Sequence, residues 1–307
     1  MTKKETKDIA HSVRARLLSL ARSQGRHNQD VLINYAMERF LYRLSLSPYA
    51  AKMVLKGALM LHVIEKSFLR ATRDIDFLAL FANKQETITA VFKSILQIQV
   101  PNDGLVFDLE NIDIRLTQLD SKEMGAKVMF WVSLGTANLK LHADIGFGYN
   151  IIPEPYWIDY PTLLGDENPK ILGYTAESIV ADKFESMVSR QLENSRMKDF
   201  YDVWVLANSQ SFDNETLKVA ILETFNYFET PIPKKIPLCF ESEFFEDTLR
   251  KTQWSGFLKS AGIETELSLK DSALCCQNFL MPLCKEIFTK TFSKKIWQHD
   301  ELRWVKT

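Results

Sequence analysis

The chain has 307 residues, of which 46% are hydrophobic, and a formal net charge of −1. This length is enough for one substantial core with a helical extension, or for two modest domains. The near-zero charge excludes a protein coated in basic residues, so an RNA partner would have to contact a local patch. A solvated helix face without RNA contact is the alternative for each basic group below. Two stretches supply such patches: Arg14, Arg16, Arg22 and Arg26, and Lys285, Lys290, Lys294 and Lys295.

Targeting and redox features are sparse. Residues 1–5 lack the apolar core of a signal peptide, and no apolar run is long enough to span a bilayer. We therefore expect a cytoplasmic protein without membrane contact. The cysteines lack paired zinc spacing and are interpreted as reduced, buried small residues: Cys239, Cys275, Cys276 and Cys284.

Hydrophobic periodicity predicts N-terminal helices, an α/β core and a helical C-terminal region. We expect helices over residues 5–23, 28–47 and 84–97, and strands over residues 105–108, 112–118, 127–135 and 139–145. Prolines between residues 153 and 169 predict a loop-rich passage, and helical patterning returns after residue 237. The fold class is thus α+β or α/β, with a mixed sheet core and flanking helices, divided into segments 1–50, 51–210 and 211–307.

A strand that runs into a glycine turn and a helix is predicted at residues 53–61. The run Lys56-Gly57-Ala58 lies at the turn, where a helix N-terminus leaves backbone N–H groups unpaired. Such a turn can hold a phosphate, with Lys56 adding positive charge. An ordinary helix start that uses glycine for its permissive dihedrals is the alternative.

Three aspartates follow on predicted strands. Asp74 and Asp76 alternate with Ile75, so both carboxylates point to one side of a strand. Asp144 shares the polar face of residues 139–145 with His142, while the alternate positions are apolar. Clustered carboxylates repel one another unless a cation lies between them, and their oxygens favour Mg²⁺ or Mn²⁺. A solvated strand edge is the alternative for the first pair.

Two amphipathic helices come next. In the first, capped by Thr175, Lys183 and Arg190 are seven residues apart and share one face, as suits a triphosphate or an RNA backbone. The second begins near Met197 and carries Asp199, which the helix dipole favours even without a function. A solvated helix face is the alternative for the two cations.

These motifs, in this order, resemble the AbiEii/AbiGii toxin family of nucleotidyltransferases, in the DNA polymerase β superfamily. The matching runs are Lys56-Gly57-Ala58, Arg73-Asp74-Ile75-Asp76, residues 142–148, residues 180–185 and residues 195–202. The resemblance covers roughly residues 30–260 and implies the nucleotidyltransferase fold for the core. Members are the toxin halves of type IV toxin–antitoxin and abortive-infection systems.

The resemblance also implies roles for individual residues. Gly57 and its neighbours Lys56 and Ala58 would hold the nucleotide phosphates, although Ala58 replaces the superfamily's usual serine and its hydroxyl. Asp74, Asp76 and Asp144 would bind Mg²⁺ or Mn²⁺. Lys183 would contact the nucleotide, with Asp199 as the acidic residue that follows it. Arg73 and Arg190 would be further nucleotide-binding residues.

The implied reaction transfers a nucleoside monophosphate from a nucleoside triphosphate to an RNA acceptor, with the tRNA 3′ end as the leading candidate. A cognate antitoxin is the implied protein partner. Two alternatives stay open: a nucleotide-binding protein that has lost turnover, and a metal-dependent phosphohydrolase or nuclease. We expect neither Asp76 nor Lys183 to belong to the core, so that Asp76→Ala and Lys183→Ala abolish transfer without unfolding the chain.

Overall fold

The computed structural model describes residues 3–66, 70–119, 123–148, 151–290 and 293–307. Met1 and Thr2, part of the first predicted segment, lie outside these residues. The chain forms two compact units: Met1–Gly148 with Tyr156–Gly173, and Tyr149–Pro155 with Tyr174–Thr307. The predicted division at residues 50 and 210 stays a prediction. None of the described helices is long and apolar enough to cross a membrane.

The first unit is a mixed sheet with helices packed against it. Its helices are α1 (Lys3–Ser23), α2 (Asn28–Ser45), α3 (Gly57–Glu65) and α4 (Gln85–Leu96). Its strands are β1 (Met53–Lys56), β2 (Asp74–Ala79), β3 (Leu105–Leu119), β4 (Glu123–Leu134), β5 (Ala137–Phe147), β6 (Tyr156–Asp159) and β7 (Lys170–Gly173).

Within the described residues, these strands form one sheet in the order β3-β4-β5-β2-β1-β7-β6. β2 runs parallel to β5 and β1 runs parallel to β7, whereas the other neighbours are antiparallel. The predicted mixed sheet is confirmed. The passage between residues 153 and 169 holds the short strand β6 in addition to loop, and its flanking prolines suit an edge position.

The core of the first unit lies between the sheet and the helices α2 and α4. Phe40, Phe92 and Phe130, from α2, α4 and β4, form a triangle with ring centroids 5.1–5.7 Å apart. All three are fully buried, as are the alternate residues Leu139, Leu141 and Ala143 of β5. The period of two in the strands therefore leaves the opposite side of β3, β4 and β5 mostly to polar side chains.

The two strands predicted over residues 105–118 are one strand with a bulge. The pairing of β3 with β4 shifts register between Phe107 and Ile112. Asp108 Oδ1 accepts hydrogen bonds from the backbone N–H groups of Glu110 and Asn111, at 2.9 and 3.1 Å. In sequence this local turn resembles a strand break, whereas the flanking residues continue the same ladder.

The second unit is helical with a small sheet. It contains α5 (Ala176–Arg190), α6 (Met197–Ser209), β8 (Phe212–Asp213), α7 (Asn214–Tyr227), α8 (Ser242–Phe245), α9 (Thr248–Ala261), α10 (Leu269–Thr289), β9 (Lys295–Gln298) and β10 (Arg303–Lys306). The three strands pair in the order β10-β9-β8. Trp297 of β9 is fully buried and its indole N–H donates to Ala207 O at 2.7 Å. The C-terminal region is thus helical, as predicted, with a hairpin that the prediction did not include.

One buried acid in the first unit links folding to pH. Glu38 of α2 is 1% exposed, and its Oε2 accepts a hydrogen bond from Leu163 N at 2.7 Å. Burial raises its pKa from 4.5 to about 8, while the Leu163 hydrogen bond and Arg39 oppose that rise. Folding therefore takes up a proton at Glu38 between about pH 4.5 and pH 8, and stability falls as pH rises through that window.

We expect Glu38→Gln to remove most of this pH dependence, because the neutral amide keeps an oxygen for Leu163 N and has no proton to lose. At roughly 1.4 kcal/mol per pKa unit, the wild-type protein should lose several kcal/mol of unfolding free energy between pH 5 and pH 8 that the variant retains. Urea unfolding at several pH values measures this. The exposed glutamate variant Glu86→Gln is the control and should follow the wild-type profile; a Glu38→Gln profile parallel to wild type would contradict the prediction.

Candidate active site

The turn between β1 and α3 is built around Gly57. This residue has φ +67°, a left-handed conformation that glycine adopts without strain. A Cβ at this position would overlap the carboxylate of Asp76, with Cγ only 2.7 Å away. The turn therefore needs glycine for two independent reasons: the backbone conformation and the close approach of Asp76. It also brings the N-terminus of the nine-residue helix α3 beside that carboxylate.

Backbone pairing brings the three predicted carboxylates onto neighbouring strands. Asp76 of β2 lies directly opposite Asp144 of β5, and Asp74 lies opposite His142. On its other side, Asp76 is opposite Lys56 of β1. Side chains of directly opposed residues share one face of a sheet, so Lys56, Asp76 and Asp144 form a row across three strands. Asp74 is exposed, and Asp76 and Asp144 are partly exposed.

The row continues into β4 through Lys127, which the sequence analysis did not identify. Lys127 is paired with Asp144, and its Nζ lies 3.6 Å from Asp144 Oδ2. Burial raises the pKa of Asp144; Lys127 lowers it, and Asp76 and Asp74 raise it further. The two-residue turn between β4 and β5, with Leu134 opposite Ala137, sets this register. The sequence contained this signal: counting outward along both strands from a two-residue turn at Gly135-Thr136 places Lys127 opposite Asp144.

The donor chemistry of these carboxylates suits a divalent cation. Asp74, Asp76 and Asp144 offer only oxygen ligands, which Mg²⁺ and Mn²⁺ prefer. In the described part of the chain, however, no three His, Cys, Asp or Glu side chains converge closely enough to hold a metal ion as they stand. The backbone positions and the mutual repulsion of the carboxylates fit a cation, whereas Asp144 is turned to Lys127 in this structure.

Arg73 precedes the aspartates and contacts α2. Its Nε and Nη2 both lie close to Asp30 Oδ1, at 3.1 and 3.0 Å, while its side chain stays 64% exposed. The ion pair joins the start of β2 to the first turn of α2. The nucleotide-binding role of Arg73 stays a prediction.

In the second unit, Lys183 lies at the centre of a buried ionic cluster. Its Nζ is 3.1 Å from Asp199 Oδ1 and 2.6 Å from Asp202 Oδ2, and Asp199 Oδ2 lies 2.8 Å from Arg196 Nε. Lys183, Asp199 and Asp202 are 8%, 0% and 1% exposed. The prediction that Lys183 lies outside the core is wrong: the ammonium joins α5 to α6. Sequence periodicity missed this because it does not show that the two carboxylates of the next helix face Lys183.

Arg190 occupies the last turn of α5 and is only partly buried. Its Nε donates to Ser186 Oγ at 3.3 Å. The start of the same helix is capped as predicted, because Thr175 Oγ1 accepts from Ser178 N at 3.2 Å. Lys183 and Arg190 are predicted to share one face of the helix. Their environments nevertheless differ, because Lys183 is inside the unit and Arg190 is at its surface.

We expect Gly57→Ala to be markedly destabilising, because the new methyl group adds a clash with Asp76 to left-handed strain. The matched control is Gly165→Ala: Gly165 has φ +76° and no atom within 4 Å of the place that a Cβ would occupy, so only strain applies. Left-handed strain alone costs about 1–2 kcal/mol. In urea unfolding, Gly57→Ala should therefore lower the unfolding free energy at least about twice as much as Gly165→Ala does. Equal losses of unfolding free energy in the two variants would show that a methyl group at position 57 does not clash with Asp76.

We expect Lys183→Ala to lower the unfolding free energy by about 3–5 kcal/mol, since it removes the ammonium from the buried carboxylate of Asp202 and leaves only Arg196 beside that of Asp199. Urea unfolding followed by circular dichroism measures the loss. Lys259→Ala, at an exposed lysine of α9 in the same unit, is the control and should change stability by less than about 0.5 kcal/mol. A Lys183→Ala protein as stable as this control would remove the cluster from the core.

Two solved structures are similar to this chain. A solved structure of JHP933 from Helicobacter pylori matches with a TM-score of 0.51 at 16% identity, covering 86% of this chain and 95% of that one. At this identity the match shows the fold alone. A second H. pylori structure, of a protein designated a nucleotidyltransferase, reaches a TM-score of 0.47 at 16% identity, covering 87% of this chain and 99% of that one. No curated relative matches the sequence.

The family comparison covers most of the chain. Residues 39–275 match the family described as nucleotidyl transferase AbiEii toxin, type IV TA system. This range includes the glycine turn, all three strand aspartates and the ionic cluster of the second unit. The chain is a nucleotidyltransferase and belongs to the AbiEii toxin family of type IV toxin–antitoxin systems.

Proposed function

We propose that the protein transfers a nucleoside monophosphate from a nucleoside triphosphate to an RNA acceptor, with Mg²⁺ or Mn²⁺ as cofactor and the tRNA 3′ end as the leading acceptor. Both substrates are cytoplasmic, so we place its action there. A cognate antitoxin, implied by the family, is the proposed protein partner.

The observation that carries this proposal is the pairing of Asp76 with Asp144 beside the Gly57 turn. Two carboxylates from parallel strands share one face of the sheet, next to the N-terminus of α3. Anionic phosphates are favoured at a helix N-terminus, and cations are favoured between carboxylates. A metal-bound nucleoside triphosphate supplies both the phosphates for the helix N-terminus and the cation for the carboxylates.

Each group in this row has a proposed task. The turn at Lys56, Gly57 and Ala58 holds phosphates through backbone N–H groups, which does not require the hydroxyl that Ala58 lacks. Asp74, Asp76 and Asp144 supply the oxygens for the cation. When bound, the cation supplies positive charge that offsets the charge on the reacting phosphate oxygens.

In the proposed reaction, the oxygen of the acceptor hydroxyl forms a bond to the α-phosphorus, and the bond from that phosphorus to the pyrophosphate oxygen breaks. Asp144 is proposed to accept the hydroxyl proton, and pyrophosphate leaves with the electron pair of the broken bond. The protein supplies position and charge rather than a covalent nucleophile.

The family resemblance extends the proposal to the nucleotide-binding residues Arg73 and Arg190, and to Lys183 and Asp199. For Lys183, contact with a phosphate would require its ammonium to share or leave the carboxylates of Asp199 and Asp202. Because Lys183→Ala is expected to lower the unfolding free energy, a loss of transfer activity in that variant would not by itself show a contact with the nucleotide. Lys183→Arg, which keeps the charge, is the better probe of a nucleotide contact.

Incubation with Mg²⁺, bulk RNA and each labelled nucleoside triphosphate in turn tests the function. We expect wild-type protein to add label to RNA, and Asp76→Asn and Asp144→Asn to lower the rate by at least about 100-fold. Asp159→Asn, at an exposed aspartate of the edge strand β6, is the matched control and should keep full activity. Mn²⁺ binding read by electron paramagnetic resonance should also weaken in Asp76→Asn, independently of turnover.

Two results would contradict this function, and a third would contradict the assigned site. Nucleotide binding without incorporation would indicate a protein that has lost turnover. RNA shortening would indicate a nuclease or phosphohydrolase. Normal transfer by Asp76→Asn and Asp144→Asn would place the chemistry elsewhere in the chain.

A further inference from the structure

We propose that the acceptor RNA lies as a single strand across the open face of β3, β4 and β5, with a base stacked on Trp131 and phosphates at Lys140 and Lys127. We define the open face by the side chains opposite the buried core: Asp113, Arg115, Lys127, Met129, Trp131, Lys140, His142 and Asp144. This inference rests on the proposed function, because the strand is the acceptor of that reaction.

The register of the β4–β5 hairpin connects Trp131 to the proposed reaction centre. Lys127 is opposite Asp144, Met129 is opposite His142, and Trp131 is opposite Lys140. Directly opposed residues share a face, so these three pairs form successive rows on the open face. Lys140 lies four positions before Asp144, a distance of about 13 Å along the strand. A single strand with its 3′ end at Asp144 would thus pass over Trp131 a few nucleotides upstream.

Trp131 of β4 faces away from the core. Its neighbours Phe130 and Val132 are 0% and 2% exposed, whereas Trp131 stays partly exposed. Lys140 Nζ lies 5.3 Å from the centroid of the Trp131 ring. An indole beside a cation on a solvated strand face is the combination that binds single strands, because any base can stack and the cation contacts its phosphate.

A groove lies next to Trp131 where β3 bulges. It has a volume of about 690 Å³, and its lining includes Trp131, Ser133, Asn138, Asp108 and Asn111. The side-chain amides of Asn138 and Asn111 suit the edges of an unpaired base, and Asn111 Nδ2 also donates to Asp108 Oδ2 at 2.7 Å. The bulge between Phe107 and Ile112 contributes Asp108 and Asn111 to this lining.

The cations of the open face are available to phosphates. The side chains of Arg115 and Lys127 are 70% and 55% exposed, and Lys140 is exposed as well. Arg115 pairs with Asp113 at 3.3 Å and Lys127 with Asp144 at 3.6 Å. Exposed pairs of this kind contribute about 0–1 kcal/mol, so a phosphate can compete for either cation. If Asp144 binds a metal ion, Lys127 is released toward the strand.

The same features disfavour a duplex or a protein partner at this face. Stacking on Trp131 requires a base that is not already stacked between two others, which a duplex does not offer. A protein interface core is depleted in charged residues, whereas here the aromatic ring is flanked by Lys140, Lys127 and Arg115. Single-stranded RNA is the occupant that uses both the ring and the charges.

Fluorescence anisotropy with a labelled single-stranded RNA of about 12 nucleotides tests this surface, without triphosphate or divalent metal. We expect Trp131→Ala to raise Kd about tenfold and Trp131→Phe to restore most of the affinity, because Phe retains a stacking face. Lys140→Gln should weaken binding and lower the slope of log K against log salt by about 0.7. Thermal unfolding checks that each variant folds.

Two matched controls lie elsewhere in the first unit. Trp157→Ala removes a tryptophan that is 54% exposed on β6, at the opposite edge of the sheet from β3. Lys52→Gln removes another lysine that lies over an aromatic ring, with Nζ 5.8 Å from the Tyr49 centroid. Lys52 O accepts from Leu80 N just past the end of β2 that is remote from Asp74. Both controls should bind the RNA like wild type.

The outcomes separate this proposal from the proposed function. RNA binding that depends on Trp131 and Lys140, in a protein that transfers no label, supports the strand site and contradicts the transferase. Label transfer by wild type, with Trp131→Ala and Lys140→Gln binding RNA normally, contradicts the strand site alone. A duplex that competes as well as the single strand, or no RNA binding by wild type, also overturns the strand site.

Discussion

The parallel pairing of β2 with β5 is the constraint on which the rest of the candidate site depends. It puts Asp76 opposite Asp144 and Asp74 opposite His142. Because side chains alternate along a strand, a slip of one residue would replace these carboxylates with Ile75 and Phe77, both of which are fully buried. The hydrophobic core therefore holds the acidic residues in register: the apolar residues between them can be buried in only one way.

The same row of opposed residues extends across five strands. It runs from Lys56 on β1 through Asp76, Asp144 and Lys127 to Arg115 on β3. Acidic residues occupy the centre, and cations lie on both sides. The flanking cations reduce the repulsion between Asp76 and Asp144, and they present positive charge on either side of the two carboxylates. The glycine at the Lys56 end admits the Asp76 carboxylate by having no side chain of its own.

In the second unit, the charged residues of the family motif form buried ion pairs, which the motif alone does not reveal. Lys183 pairs with both Asp199 and Asp202 in a place where all three are almost fully buried, and Arg196 is the second cation beside Asp199. Such a cluster tolerates the removal of no single member, because the remaining charges would stay in a medium that solvates them poorly. Residues that match a family motif can thus be indispensable for stability whether or not they also contact substrate.

Local and periodic features could be predicted from the sequence itself: the helices near residues 5–23, 28–47 and 84–97, the alternating face of β5, the Gly57 turn and the Thr175 cap. They depend on neighbours in the chain, as do the carboxylate spacing of Asp74 and Asp76 and the family motifs. Contacts between distant segments required the tertiary structure. The continuity of β3 across its bulge, the burial of Lys183, the pairing of Asp30 with Arg73 and the hairpin of β9 with β10 each depend on which segments pack together. Periodicity shows which side of an element is apolar, but the partner that covers that side, and the charges it carries, are set only when the chain folds.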